Sequence, residues 1–427
     1  MRRHRYTIFH KDVDEGYYLF NQLYRSFLQV DKELYEALKE EHFGLIDSEG
    51  IATLKELHFI IEQDSLSEEE LIQAMNIRAR YQNDALRITI IPTMNCNFRC
   101  WYCYEQHKRS VLSAAGAKSI ITFIKHELTE KRKKLLILDW FGGEPLLRFY
   151  QTMVPLTKDL LDWCHAHEIT LHNQITTNGS LIDDMMAKTC AEIHLSQFQI
   201  TLDGGPSHHN KTRFSANMRN SYERIVQGIH SLCSHIDPLS LDLRINYTPE
   251  NIESIDDILY SFSSEDRRKI TLSPHIVWQK ATFAKALSPK IEAFKDKAKD
   301  LGYAIRSDDM SIQCTSCYVE NVDQYEINYD LNVYKCTARD FSPKDAIGRI
   351  NSEGRFLPTS LYHRYYIEPS PFINAQCLSC EVLPSCLCAF SCIQQKIEGA
   401  PFICHKELIT QGVHRSIHRK LSHYAYS

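Results

Sequence analysis

Cys96-Asn-Phe-Arg-Cys100-Trp-Tyr-Cys103 follows directly on the apolar run Leu86 to Pro92. The run reads as a buried strand, so the three thiols sit on the loop that leaves its carboxyl end. That spacing suits three thiolates around one iron-sulfur cube, leaving one iron without a protein ligand. Four cysteine ligands would instead make a pure electron-transfer centre. A zinc knuckle and buried structural cysteines are the alternatives, although zinc sites favour paired short spacings over three staggered thiolates.

Outward from this loop, residues 86–311 alternate short apolar strands with amphipathic helices. Strands are expected at Leu86 to Pro92, Leu135 to Trp140, Ile169 to Ile175, Phe198 to Leu202, Leu241 to Tyr247 and Ile270 to Val277, with helices near 114–131, 148–166, 181–192, 219–233 and 252–263. Six strand-helix repeats imply a parallel sheet and are too few for a closed eight-stranded barrel. The fold class is therefore α/β, a partial (β/α)6 TIM-like barrel with its chemistry at the carboxyl ends of the strands. Polar motifs cluster there: Phe141-Gly142-Gly143-Glu144-Pro145, Thr176-Thr177-Asn178-Gly179 and Thr201-Leu202-Asp203-Gly204 each follow or end a strand. Two glycines let a backbone approach a ligand closely. An ordinary strand-to-helix turn, and helix capping by Asn178 and Asp203, are the structural alternatives.

CxxxCxxC with an aromatic before its last cysteine resembles the signature of the radical S-adenosylmethionine (SAM) superfamily. The resemblance implies a SAM-binding 4Fe-4S cluster on Cys96, Cys100 and Cys103. It also implies a SAM pocket lined by Gly142, Gly143, Glu144, Asn178, Thr201, Asp203 and Arg213, with the Gly-Gly-Glu-Pro turn holding the SAM amino group and Thr201 near its carboxylate. The implied chemistry is reductive cleavage of SAM to a 5'-deoxyadenosyl radical, which takes hydrogen from an unactivated carbon.

Nine further thiols crowd about ninety residues: Cys314, Cys317, Cys336, Cys377, Cys380, Cys386, Cys388, Cys392 and Cys404. A two-zinc ribbon would also use paired cysteines. The pattern resembles the SPASM extension of radical SAM enzymes that mature peptides and proteins, which implies two auxiliary 4Fe-4S clusters and three in all. By that resemblance Cys314, Cys317, Cys336 and Cys392 hold one, and Cys377, Cys380, Cys386 and Cys404 the other. Tyr325 to Asn328 and Val333 to Lys335 read as a hairpin delivering Cys336. There are departures. Leu331 stands where the family usually has glycine, Cys314 and Cys317 lie closer together than the family pair often does, and Cys388 competes with Cys386 or Cys392 as a ligand. Thr337 replaces an aspartate common in sulfatase maturation. Cys164, Cys190 and Cys233 fall in helical patterns and read as small buried hydrophobes.

Residues 1–85 read as a small α+β module, with extended stretches at Tyr6 to His10, Tyr17 to Phe20 and Leu57 to Glu62. Helices are expected at Asp31 to Glu41 and Ser67 to Tyr81, the second opened by a Ser67/Glu70 capping box. Such a module suits a winged-helix-like unit to which a leader peptide adds as an edge strand. The expected organisation is thus 1–85 for this module, 86–311 for the barrel, 312–410 for the SPASM domain and 411–427 for a basic tail.

A chain of 427 residues exceeds one ordinary core, and a net charge of -5 gives no general basic face for nucleic acid. No apolar run reaches membrane-spanning length, and the basic start leads into acidic sequence instead of a signal-peptide core, so the expected location is cytoplasmic. Fifteen cysteines then point to metal more than to disulfides. The expected function is hydrogen abstraction from side chains of a ribosomally synthesised precursor peptide, giving a thioether or carbon-carbon crosslink, with a flavodoxin or ferredoxin-type reductant as partner. Formylglycine formation on a sulfatase is the rival enzyme. A non-catalytic peptide-binding chaperone and a zinc-stabilised scaffold are the rivals outside that class.

Overall fold

The computed structural model describes residues 1–12, 16–65, 67–82, 84–215, 218–306, 317–338, 341–367, 375–386, 397, 399 and 403–424. The chain divides into two compact units, one built from 1–83, 308–322 and 363–427, the other from 84–307 and 323–362.

In the first unit, β1 (Arg2–Arg3) and β2 (Thr7–Lys11) precede β3 (Tyr17–Asn21) and β4 (Phe27–Val30), and β2-β3-β4 form an antiparallel sheet. Helices α1 (Lys32–Lys39) and α2 (Ser48–Glu56), strand β5 (Ile60–Ile61) and α3 (Glu68–Tyr81) follow. Leu19, Tyr35, Leu38, Leu54, Phe59 and Ile60 are fully or almost fully buried together. The Ser67/Glu70 capping box is present at α3. β4 and α2 were not expected. Helix α2 carries Gly50 with β-branched Ile51 and Thr53, which hide its period, and is set instead by its Asp47 cap, whose carboxylate accepts from Gly50 N at 2.7 Å. A second core in this unit packs Ile8 and Phe20 against Val382 and against Ile409, Val413 and Ile417 of the helix Lys406–Tyr424.

The second unit holds the strand-helix repeats: β6 (Ala85–Ile91), α4 (Ala114–Glu130), β7 (Leu135–Trp140), α5 (Val154–Ala166), β8 (Thr170–Thr177), α6 (Asp184–Glu192), β9 (Leu195–Leu202), α7 (Pro206–Thr212), α8 (Ser221–His235), β10 (Ser240–Tyr247), α9 (Ser264–Arg267), β11 (Ile270–Ile276) and α10 (Ala284–Asp300). All six expected strands are present and mutually parallel. The sheet extends at both edges, with β12 (Ala304–Ile305) parallel to β11 and β13 (Gln324–Asn328) parallel to β6. Strands β14 (Asn332–Tyr334), β15 (Gly348–Ile350) and β16 (Phe356–Pro358) continue it antiparallel, giving eleven strands among the described residues. The expected hairpin is β13-β14, and it continues the barrel sheet instead of standing apart from it. Its turn holds Leu331 at φ 68°, a left-handed conformation that glycine adopts freely and leucine at a cost of about 1 kcal/mol.

Leu136, Leu138 and Trp140 of β7 are buried on the helix side, while the opposite face carries polar side chains: Arg87 and Thr89, Asp139, Gln199 and Thr201, Asp242, Arg244 and Asn246, and Ser273. That polar face is curled. The loops after β6 and β11 line one cavity, although five strand spacings would separate them by about 24 Å in a flat sheet. Cys164, Cys190 and Cys233 are buried in α5, α6 and α8.

Glu326, on β13 beside Thr89, is fully buried, and burial with nearby Asp139 pushes its carboxyl up to about 8 against the pull of Lys335. Its pKa is raised in the folded state, so the folded protein binds more protons than the unfolded one between about 4.5 and 8. Its contribution is therefore intact at low pH and is lost as pH rises through that window. Glu326→Gln is expected to be increasingly more stable than wild type as pH rises, by a few kcal/mol (order of magnitude) at the top. Denaturant midpoints across pH check this, and parallel curves for the two proteins would reject it.

Candidate active site

The cysteine loop leaves β6 and is pinned by the turn after β7. Gly143 N donates to Thr93 O at 3.2 Å and Glu144 N to Asn95 O at 2.9 Å. A Cβ on Gly143 would lie 2.4 Å from Asn95 O, and one on Gly142, at φ 114°, would lie 2.6 Å from Thr93 O. Both positions therefore require glycine. Part of the close approach expected of these glycines is to the backbone of the cysteine loop itself.

Glu144 is completely buried. Its Oε1 accepts from Leu146 N (2.9 Å) and Thr177 Oγ1 (2.7 Å), and its Oε2 from Asn178 N (2.8 Å). Burial pushes the carboxyl up and these three donors hold it down. The side chain ties the ends of β7 and β8 together. Asn178 in turn donates to Asn97 Oδ1 at 2.8 Å, and its Nδ2 lies 4.0 Å from Cys96 Sγ. Its Oδ1 accepts from Ser180 N and Ser180 Oγ.

A second network surrounds Tyr102, the aromatic between Cys100 and Cys103. Its hydroxyl donates to Asp203 Oδ1 (2.9 Å) and accepts from Arg213 Nη1 (2.7 Å) and Asn246 Nδ2 (3.1 Å). Asp203 is sealed from solvent, with Thr212 Oγ1 and Asn246 as further donors, and burial raises its pKa. Asp203 N donates to His209 Nδ1. Arg213 is buried beside the Phe98 ring, and its Nε has no partner among the described residues. Helix capping does not explain Asn178 or Asp203: α6 is capped by Asp183, and α7 begins after Gly205 without a side-chain cap.

Cys96, Cys100, Cys103, Gly142, Gly143, Asn178, Thr201 and Arg213 all line one cavity of about 230 Å³ at the carboxyl ends of the strands, whereas Glu144 and Asp203 stand behind its wall. Tyr102, Glu105, Gln199, Arg244, Asn246 and Trp278 also line it; the sequence marked Tyr102 only as the aromatic of the cysteine motif and assigned none of the six to the site. For Arg244 and Asn246 the signal was present: Asp242, Arg244 and Asn246 alternate along an otherwise apolar strand, which marks a polar barrel face. Burial pushes the Cys96 thiol up to about 12, and it raises Cys100 and Cys103 as well. Thiolate ligation here therefore needs a strongly cationic partner. No group of three or more His, Cys, Asp or Glu among the described residues closes on a single metal ion. Three sulfurs spaced around a cavity suit a larger group such as a cuboidal cluster.

Cys377, Cys380, Cys386 and Cys404, grouped in sequence as one ligand set, line a small cavity of about 40 Å³ with His405 and Lys406 in the first unit. Cys336 is buried after β14 in the second unit, and Cys317 precedes a short turn in the first. Cys314, Cys388 and Cys392 lie outside the described residues.

The radical SAM superfamily model matches residues 90–260. These residues form a radical SAM domain. Such a domain implies a 4Fe-4S cluster and SAM. This chain is 30% identical over 165 residues to Fe-coproporphyrin III synthase of Methanosarcina barkeri, covering 38% of this chain and 37% of that protein. It is 26% identical over 376 residues to the cysteine-type anaerobic sulfatase-maturating enzyme of Clostridium novyi, covering 80% and 97%. The match spans only about a third of each of the first two curated relatives, 37% and 34%. Among solved structures, anSMEcpe with bound AdoMet and Cp18Cys peptide superposes with a TM-score of 0.59 at 16% identity, covering 80% of this chain and 99% of that one. Streptococcus suis SuiB bound to precursor peptide SuiA gives 0.51 at 14% identity, covering 93% and 96%. These likenesses establish the fold. Among the described residues no helix is long and apolar enough to cross a membrane.

Proposed function

We propose that this radical SAM enzyme modifies side chains of a ribosomally synthesised precursor peptide, forming a thioether or carbon-carbon crosslink. The observation that carries the reading is the single cavity at the strand ends, where Cys96, Cys100 and Cys103 meet Gly142, Gly143, Asn178, Thr201 and Arg213. The three cysteines fit a 4Fe-4S cluster with one open iron, and the polar wall fits SAM. When bound, the cluster and SAM together supply a carbon radical able to take hydrogen from an unactivated C–H bond. The protein's own share is positional. Glu144 fixes Asn178 beside Cys96, the Tyr102-Asp203-Arg213-Asn246 network fixes the loop between Cys100 and Cys103, and the curled sheet shields the cavity.

Cys314, Cys317, Cys336 and Cys392 would hold one auxiliary cluster and Cys377, Cys380, Cys386 and Cys404 the other, with a flavodoxin or ferredoxin-type protein as reductant. The shared cavity of the second set supports that grouping. We assign residues 1–85 to leader binding, 86–311 to the barrel, 312–410 to the SPASM domain and 411–427 to the tail. The three-stranded sheet ends at β4, which has no further strand partner among the described residues and so offers an edge to a leader. SuiB, of the same fold, is bound to a precursor peptide.

The sulfatase-maturing reading is favoured by the length of the match to the Clostridium novyi enzyme, and opposed by Thr337 in place of an aspartate. Anaerobically reconstituted, dithionite-reduced protein should form 5'-deoxyadenosine from SAM. A precursor peptide encoded beside the gene should then lose two hydrogens per crosslink. Formylglycine on a Cys- or Ser-type sulfatase peptide would select the second reading, and absence of 5'-deoxyadenosine would reject both.

A further inference from the structure

The polar face of the barrel sheet is built from charges that mostly neutralise one another. Arg87 Nη1 pairs with Asp139 at 2.8 Å. Two residues below Arg244 on β10, Asp242 accepts from Gln199 Nε2 (3.0 Å), Arg306 Nη1 (2.6 Å) and Ser273 Oγ. On the other side, Asp203 is occupied by Tyr102, Asn246 and Thr212.

Arg244 is the exception. It lines the cavity between these two saturated carboxylates, yet its one hydrogen bond among the described residues runs from Nε to Asn246 Oδ1 at 3.0 Å. No carboxylate lies within ion-pair distance of its guanidinium among the described residues, and burial outweighs its more distant carboxylate and phenol neighbours in lowering its pKa. Glu105, also on the cavity wall, makes no bond to it, and its Oε1 is buried without a partner among the described residues. The Nη atoms of Arg244 are thus a planar, fork-shaped pair of donors with no partner among the described residues, a geometry that matches a carboxylate.

We propose that Arg244 is a specificity-determining residue that receives a carboxylate of the peptide substrate, an acidic side chain or a C-terminal carboxylate beside the reacting residue. This rests on the proposed peptide-modifying function. SAM brings a carboxylate of its own, and that source must be separated experimentally.

The test uses the full, anaerobically reconstituted chain with SAM bound, and two probes, acetyl-Ala-Ala-Glu-Ala-Ala-amide and its Gln counterpart, titrated by calorimetry. A charge-assisted hydrogen bond predicts that the Glu peptide binds about ten-fold more tightly or better. Arg244→Gln should erase that preference, Arg244→Lys should keep part of it, and the affinity for SAM should stay within about two-fold in both. Equal binding of the two peptides by wild type, binding of neither, or an unchanged preference in Arg244→Gln overturns the proposal. A ten-fold loss of SAM affinity in Arg244→Gln also overturns it, assigning the carboxylate to the cofactor. Far-UV circular dichroism and SAM binding of Arg244→Lys show whether the barrel remains folded. The two readings fail separately. Protein that discriminates the peptides but forms no 5'-deoxyadenosine keeps the carboxylate site and loses the proposed function. Protein that forms 5'-deoxyadenosine without discriminating does the reverse.

Discussion

Cys100→Ala is expected to abolish 5'-deoxyadenosine formation and to lower bound iron and acid-labile sulfide by one cluster while leaving the proposed auxiliary clusters in place. Cys100 is the middle thiol of the trio, and its charge is felt at both Cys96 and Cys103. Its own thiol is raised by burial, opposed by the guanidinium of Arg213. A two-cysteine remnant has neither the donor number nor the electrostatic compensation to keep both thiolates in this cavity. Cys190→Ala is the matched control. That thiol is completely buried in α6, far in sequence from the loop, and burial alone pushes its pKa up. Removing its sulfur should cost about 1 kcal/mol of stability and no iron. Equal iron content in Cys100→Ala and Cys190→Ala would remove the assignment of the trio as cluster ligands.

The barrel was legible because its strands are buried on the helix side by mostly apolar residues and end in polar motifs, so both start and stop are written locally. Leu135–Trp140 was placed to the residue, and the others to within a few. The edge strands were not legible. Ala304–Ile305 is two residues long, and β13 reads as half of a local hairpin whose second, parallel partner lies more than two hundred residues earlier in the chain. No local pattern encodes such a pairing.

At the site, the residues that touch the cavity through motifs were legible, and the residues that organise it were only partly so. Asn178 and Asp203 had two readings, capping or pocket, and the structure shows that neither caps a helix. Asp203 instead supports Tyr102, a residue whose place in the cysteine motif was noted only as aromatic. Arg244 and Asn246 come from a strand that carries no motif, and their convergence with Tyr102 depends on the curl of the sheet. Leu331 shows the opposite case. Sequence marked it as a departure from glycine, and the backbone there keeps the left-handed conformation regardless, with the leucine side chain held at the surface of Gly116 in α4.

Glu144→Ala is expected to destabilise the barrel unit by roughly 3 to 6 kcal/mol, a large loss for one side chain. The carboxylate is completely buried and takes three hydrogen bonds, from Leu146 N, Thr177 Oγ1 and Asn178 N. Alanine leaves all three donors buried without an acceptor, each at a cost of about 1 to 3 kcal/mol, and opens a cavity between the ends of β7 and β8. Glu144→Gln is the informative partner. Its oxygen can still serve Leu146 and Thr177, but its amide nitrogen would face Asn178 N, donor against donor. That shifts the backbone from which Asn178 reaches Asn97 and Cys96. Glu144→Gln should therefore lose less stability than alanine yet bind SAM markedly more weakly, as read by equilibrium dialysis beside a denaturant curve. The motif resemblance gives the Gly-Gly-Glu-Pro turn a direct contact with the SAM amino group. A turn that made this contact through the Glu144 carboxylate would give an alanine variant as stable as wild type, because a side chain spent on ligand would leave few donors behind. An alanine variant within about 1 kcal/mol of wild type would thus overturn the bracing role, and one that unfolds below the wild-type midpoint while Glu144→Gln stays folded would establish it.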